Sequence, residues 1–300
     1  MSKKHPVIVV TGSSGAGTST VKKALESIFH RQKIKAALIE GDSFHRYDRE
    51  GMLEQVKRAS ESGANFSHFG AEANQFDLLQ ALFRSYGETG TGKTRYYLHD
   101  DDEAHQHSER LGASYRAGEF SDWEDIEAGT DLLFYEGLHG LVKTDRVDMT
   151  RYADLKVGVV PVVNLEWIQK IHRDSAERGY QQEEVIDSIL RRMPDYVKYI
   201  TPQFSETDIN FQRVATVDTS NPFIARDIPT LDESFVVIRF RKPDIRNTDF
   251  TNLLSMISGS FMSRRNTIVV PGGKMGMAME IILMPIISDL IAQRAEALRA

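Results

Sequence analysis

The sequence contains no cysteine. That absence excludes disulfides, thiolate catalysis, cysteine-ligated metal centres and control by a dithiol switch. Excess positive charge is missing too: the formal net charge is −6, so no broad basic field is available for nucleic acid. No hydrophobic run is expected to reach the roughly 18–20 residues that span a bilayer. The first residues lead straight into a strand pattern without the plan of a signal peptide. Repeats, low-complexity tracts and Pro/Gly/Ser linkers are also lacking. The expectation is one domain over 1–300, cytoplasmic, with neither membrane nor nucleic acid as partner.

What is present is the balance of a soluble globular chain, 27% charged and 41% hydrophobic. A β-branched run, Val7-Ile8-Val9-Val10, enters the glycine-rich turn Gly12-Ser13-Ser14-Gly15-Ala16-Gly17-Thr18-Ser19-Thr20. Val21, Leu25, Ile28 and Phe29 then recur at helical spacing. Strand, glycine turn and helix form the geometry that cradles a phosphate, with backbone N–H groups and a helix N-terminus aimed at it. Thr18 stands where the P-loop pattern has lysine, while Ser19 supplies the hydroxyl expected on magnesium.

A second segment, Gly87-Glu88-Thr89-Gly90-Thr91-Gly92-Lys93-Thr94, fits the P-loop pattern letter for letter. Its context is wrong. Phe76, Leu79, Leu82, Phe83 and Tyr86 place a helix before it, and Arg95-Tyr96-Tyr97-Leu98 places a strand after it. It is expected to be a polar loop.

Further strands are expected at 36–40, 131–137, 155–163, 210–217, 234–241 and 266–270. Helices are expected near 50–60, 71–86, 164–178, 182–200 (bent at Pro194) and 275–298, with loops over 99–130. The early alternation argues a mainly parallel sheet. Such sheets bind ligands at the carboxyl ends of their strands, and two of these strands end in acids.

Glu136 closes an apolar strand, as a Walker-B acid does near magnesium; the alternative is a helix cap. Asp42 opens a segment holding His45, Arg46 and Arg49, a base for an acceptor hydroxyl beside cations for an acceptor phosphate. A plain turn with exposed arginines stands as the alternative. Lys170, Arg173, Asp174 and Arg178 share one helix face. They form either a solvated face with a Lys170–Asp174 pair or a cationic lid replacing the lysine missing at Thr18. His99 with Asp100, Asp101, Asp102 and Glu103 reads as a solvated acidic loop rather than a metal site.

Taken together, Thr11-Gly12-Ser13-Ser14-Gly15-Ala16-Gly17-Thr18-Ser19-Thr20, Glu40-Gly41-Asp42-Ser43-Phe44-His45-Arg46 and Phe134-Tyr135-Glu136-Gly137-Leu138-His139-Gly140 resemble the phosphoribulokinase family in its bacterial form. Asn164-Leu165-Glu166-Trp167-Ile168-Gln169-Lys170-Ile171-His172-Arg173-Asp174 and Val217-Asp218-Thr219-Ser220-Asn221-Pro222-Phe223 extend the likeness along essentially the whole chain. Thr18 in place of lysine is part of that family's pattern.

The resemblance implies a P-loop, adenylate-kinase-like α/β fold that phosphorylates the C1 hydroxyl of ribulose 5-phosphate with Mg-ATP, a step of Calvin-cycle carbon fixation. Asp42 would be the base, His45 and Arg49 the sugar-phosphate ligands, and Glu136 the Walker-B acid. Asp174 would assist magnesium and in-line geometry. Lys170 and Arg173 would stabilise charge on the transferring phosphoryl group, and Arg178 would line the same site. A homo-oligomer activated by NADH and inhibited by AMP is implied as well, with Arg31, Arg239 and Arg264 in regions that could form its inter-subunit effector site. Two other readings stand beside this one: uridine-kinase-like phosphorylation of another acceptor, and a non-catalytic nucleotide-binding regulator.

Overall fold

In the computed structural model, residues 4–13, 18–176, 179, 181–225, 227–242 and 249–299 are described. The chain begins with β1 (Val7–Gly12), α1 (Thr18–Gln32), β2 (Ala36–Glu40), α2 (Arg49–Glu61), α3 (Phe76–Thr89) and β3 (Lys93–Thr94). It continues through α4 (Asp101–Leu111), β4 (Glu124–Asp125), β5 (Leu132–Gly137), β6 (Leu155–Val159), α5 (Val163–Ala176) and α6 (Gln182–Asp195). The last part holds β7 (Ile209–Ala215), β8 (Ser234–Phe240), α7 (Phe250–Met256), β9 (Phe261–Arg264), β10 (Thr267–Pro271) and α8 (Met275–Arg299).

Eight strands form one sheet in the order β2-β5-β1-β6-β7-β8-β10-β9. The first five are mutually parallel, and β8, β10 and β9 add an antiparallel extension. β1 lies between β5 and β6, so the chain turns one way after β1 and the other way after β5. That reversal is the topological switch point where open α/β sheets bind ligands. The alternation in β1 sends Ile8 and Val10 into a core shared with α1, α7 and α8, and Val7 and Val9 into a second core shared with α3. Both faces of β1 are covered, which is why it reads as a continuous apolar run.

Several expectations shift. The strand expected at 155–163 ends at Val159, and α5 already starts at Val163. The strand expected at 95–98 contracts to β3 paired with β4, plus a single Tyr97–Phe120 bridge. Within the supposed loops at 99–130 lies α4, whose only fully buried side chain is Ala104. Its ends define it instead: Asp100 accepts from the Glu103 N–H at 2.9 Å, and Glu103 accepts from the His99 N–H at 2.8 Å. α7 and β9 were not expected. Pro194 does interrupt its helix, since α6 gives way to a π turn, Tyr196–Ile200.

The second P-loop-like segment is structural. Gly87, Glu88 and Thr89 close α3, and Gly90, at φ 72°, forms the left-handed cap with its N–H on the Tyr86 carbonyl. No helix N-terminus follows it.

The stretch Gly272–Arg299 is, against expectation, long and apolar enough to cross a membrane. It packs instead against α1, with Ala278, Met279, Leu283 and Ile287 fully buried in the first core.

Candidate active site

β2 and β5 run in register, with Glu40 opposite Glu136. Beyond them Gly41 and Gly137 meet almost backbone to backbone. A Cβ on Gly41 would lie 2.8 Å from the Gly137 Cα and 2.6 Å from the Tyr135 hydroxyl. Only glycine permits that approach, and it brings the Asp42 turn against the end of β5. Glu136 is half-buried there and is followed by a turn, so no helix begins at this strand end for it to cap. Lys22 of α1 donates to Glu40 at 2.6 Å and lies in the field of Glu136.

Asp42 sits in the one-turn 3-10 helix Gly41–Phe44, whose N-cap is Glu40, and its carbonyl accepts the His45 N–H at 3.1 Å. Its Oδ1 faces the His45 Nε2 at 3.2 Å, and its Oδ2 is 4.0 Å from His99 Nε2. Asn74 sets the state of His45. The Asn74 amide donates to the carbonyls of His68 (2.8 Å) and Gly70 (2.7 Å), so its oxygen must accept from His45 Nδ1, at 2.8 Å. His45 therefore spends one N–H on Asn74 and offers Nε2 to Asp42, the arrangement of an imidazolium–carboxylate pair. Burial opposes both charges, but the mutual hydrogen bond and attraction win: Asp42 is held well below the usual carboxylate range and His45 is raised. His68 lies against His45, ring centroids 4.7 Å apart and planes tilted by 45°; burial and the His45 charge push it down to about 3.

Two side chains that sequence reading missed hold this turn. Arg95 donates to the carbonyls of Ser43 (2.9 Å) and His45 (2.6 Å) and lies 3.6 Å over the Phe120 ring. Asn74 is the other, and its signal, a polar residue buried between two helical segments, is invisible without the fold. Arg49 reaches the His99 carbonyl at 2.9 Å, which puts it on the rim with His99. Arg46 departs from the anion role: it donates to the carbonyls of Glu72 and Asn74 and braces that loop.

On α5 the solvated-face reading fails. Asp174 is buried and ion-paired to both Lys170 and Arg173, the latter at 3.1 Å. Burial pushes Asp174 up, and those two cations pull it below its ordinary range. Burial and the nearby Arg192 lower Lys170. Glu166, also missed, is buried on the same face. Burial pushes it up to about 7 against the pull of Ser13, Tyr196, Lys170 and Arg173.

Gly12 ends β1 and Ser13 follows it, both fully buried; Thr20 is half-buried, and Thr18 and Ser19 begin α1. Ser14, Gly15, Ala16, Gly17 and Arg178 lie outside the described residues, as do the side chains of Thr18 and Ser19. Buried Gln203 ties the turn to the rest. It accepts from Thr11 Oγ1 (3.0 Å) and the Leu141 N–H (2.9 Å) and donates to the carbonyls of Leu138 (2.9 Å) and Tyr199 (2.8 Å).

Arg31, Arg239 and Arg264 do not join this site. Arg239 and Arg264 flank Thr267 in one row across β8, β10 and β9. Arg31 pairs with Glu280 of α8 at 2.5 Å. Ile238 and Phe240 point toward α8, so Arg239 between them points away, and the three arginines do not converge within one chain.

His99 does not sit in a metal cluster, and among the described residues no group of three acidic or histidine side chains could hold an ion alone. The donors on offer at the strand ends are carboxylate and hydroxyl oxygens. That set fits magnesium, which binds through one or two carboxylates together with substrate phosphates.

The profile of the Phosphoribulokinase / Uridine kinase family matches residues 7–220. The phosphoribulokinase of Nitrobacter vulgaris is 59% identical over 298 residues, covering 99% of this chain and 100% of that protein. That of Xanthobacter flavus is 60% identical over 298 residues, with the same coverage. The solved phosphoribulokinase from Rhodobacter spheroides superposes with a TM-score of 0.87 at 56% identity, covering 98% of this chain and 100% of that one.

Proposed function

We propose, on the premise that the chain belongs to the phosphoribulokinase/uridine kinase family, that it transfers the γ-phosphoryl group of Mg-ATP to the C1 hydroxyl of ribulose 5-phosphate, giving ribulose 1,5-bisphosphate for the Calvin cycle. It is an ATP-dependent kinase of P-loop fold. The observation that carries the acceptor assignment is the Asp42–His45 pair at 3.2 Å with Arg49 and His99 on its rim. A base for a hydroxyl stands there beside cations for a phosphate that a nucleoside acceptor lacks.

Asp42 orients the C1 hydroxyl and accepts its proton. Held ionised by His45, it is a weak base toward a free alcohol, so the proton moves late, as the new P–O bond forms; the loose transition state of phosphoryl transfer needs no early deprotonation. Arg49 binds the 5-phosphate; His45, expected to share that role, has both ring N–H groups committed to Asn74 and Asp42 and instead holds the base in place. Lys170 and Arg173, pinned by Asp174, approach the transferring group with fixed positive charge, so little reorganisation is required. Arg178, outside the described residues, would join them by the family's pattern. The turn from Gly12 to Thr20 carries the nucleotide phosphates on backbone N–H groups. Glu136 and Ser19 would hold magnesium, assisted by Asp174, and the ion would supply charge neutralisation at the nucleotide phosphates.

Regulation belongs to an assembly. A homo-oligomer that brings Arg31 of one subunit to Arg239 and Arg264 of another would form an anionic-effector site for NADH, consistent with their separation in a single chain. The test of the whole reading is ADP release by the purified protein with Mg-ATP, comparing ribulose 5-phosphate with uridine, each with and without NADH. Turnover confined to ribulose 5-phosphate is expected. Turnover on uridine would remove the sugar phosphate from the Asp42 site, and binding of ATP without turnover on either would leave a regulator.

A further inference from the structure

Glu166 has no part in the mechanism above, yet it stands one and two turns before Lys170 and Arg173 on the buried face of α5. Tyr196, in the π turn after α6, donates its hydroxyl to Glu166 Oε2 at 3.4 Å. On another side is Ser13 of the phosphate turn, close enough to stabilise the carboxylate. The Ser13 Oγ is nonetheless buried without a hydrogen bond of ordinary geometry among the described residues. Thr20, Glu166 and Gln169 also line a cavity of about 50 Å³ at the start of α1.

We propose that Glu166 is a positioning residue for phosphoryl transfer, its carboxyl linking α5 to the phosphate turn at Ser13 and to the chain beyond α6 at Tyr196. The inference rests on the kinase reading above. It requires the neutral acid, and three physical arguments agree on that state. A neutral carboxyl accepts from Tyr196 and has an O–H left for the buried Ser13 hydroxyl, whereas a carboxylate only accepts. An ionised Glu166 would compete with Asp174 for Lys170 and Arg173 and draw them from the transferring group. It would also set a negative charge beneath a turn built to bind anions. Burial supplies the bias, holding the proton up to about pH 7. The groups facing it are Ser13 from β1, Lys170 and Arg173 from its own helix, and Tyr196 from the π turn, with Arg192 of α6 acting through Lys170. Nucleotide phosphates add negative charge nearby, so nucleotide binding and proton binding favour one another.

The experiment measures Mg-ADP affinity and ribulose 5-phosphate turnover from pH 6 to 9 for the full-length wild type, Glu166→Gln and Tyr196→Phe. Wild-type affinity is expected to fall above neutrality by up to about tenfold per pH unit, the slope of one coupled proton. Glu166→Gln, a permanently neutral isostere, should show a flat profile and turn over at pH 6.5 within about threefold of wild type. Tyr196→Phe removes a donor to the carboxylate and should move the inflection to higher pH. A wild-type slope persisting in Glu166→Gln overturns the proposal. So does a tenfold or greater loss of kcat at pH 6.5 in a Glu166→Gln protein that melts as wild type does. Should Glu166→Gln not fold, Tyr196→Phe decides: an unmoved inflection overturns the proposal and an upward one supports it. Absence of turnover in every protein, with pH-dependent ADP binding intact, would sink the kinase reading while leaving the Glu166 linkage standing.

Discussion

At the scale of single residues, the Asp42–His45 pair combines chemistry with charge stabilisation. Asp42→Asn should lower kcat by about 10²–10⁴-fold, the range of a lost general base, with Mg-ADP affinity retained in a direct titration. Loss of both together would make Asp42 structural. The same variant tests the pair's electrostatics. His45 is raised above its ordinary 6.5, so its contribution is fully present below that pH and is lost as pH rises through the higher folded value. Asp42 is depressed below its ordinary 3.8, so its contribution is present above that pH and is lost as pH falls. The stability difference between wild type and Asp42→Asn, from denaturant melts, should therefore be largest between pH 3.8 and 6.5 and shrink in alkali. A difference that grows with pH would contradict an imidazolium at His45.

At the scale of elements, the site depends on how strand ends are locked to one another. Gln203 joins the end of β1, the turn after β5 and the segment after α6 through four hydrogen bonds, three of them buried. Gln203→Leu roughly keeps the volume but strands the Tyr199 carbonyl and the Leu141 N–H, while the Thr11 hydroxyl keeps the Leu138 carbonyl at 3.2 Å. A loss of about 3 kcal/mol or more is expected, measured by urea unfolding, with a raised KM for ATP because the phosphate turn is no longer pinned to its neighbours. An unchanged midpoint would mean that water replaces the amide. Legibility from sequence follows the same division. β1, β5 and α8 were readable because burial keeps long stretches of their residues apolar. α4 was not, because its fold is set by reciprocal acid caps and an Arg110–Glu124 pair at 2.6 Å rather than an apolar stripe. The segment from Gly87 to Thr94 was readable only by its surroundings, since the P-loop pattern describes letters and a phosphate needs a helix N-terminus.

For the whole molecule, the antiparallel extension matters most. β8, β10 and β9 carry Arg239 and Arg264 away from the Asp42 site, on the sheet face opposite α8. Under the proposed regulation, Arg239→Ala with Arg264→Ala should reduce the ratio of turnover with NADH to turnover without it toward unity. A ratio equal to that of the wild type would remove these arginines from any effector site.

The sequence by itself determined the phosphate turn, the two acids at strand ends and the family, because each is a local matter: a strand, a glycine turn and a capping position are specified within a few residues. Asp42 and Glu136 could be singled out for that reason, whereas the roles expected of His45, Lys170, Arg173 and Asp174 rested on the family resemblance. Tertiary structure alone decided what state those groups are in. The imidazolium at His45 depends on Asn74, 29 residues away. The upward shift of Glu166 depends on burial by the surrounding fold, with Tyr196, 30 residues away, pulling against it. Desolvation and hydrogen-bond partners come from neighbours in space, and their effect on a proton has no counterpart in spacing along the chain.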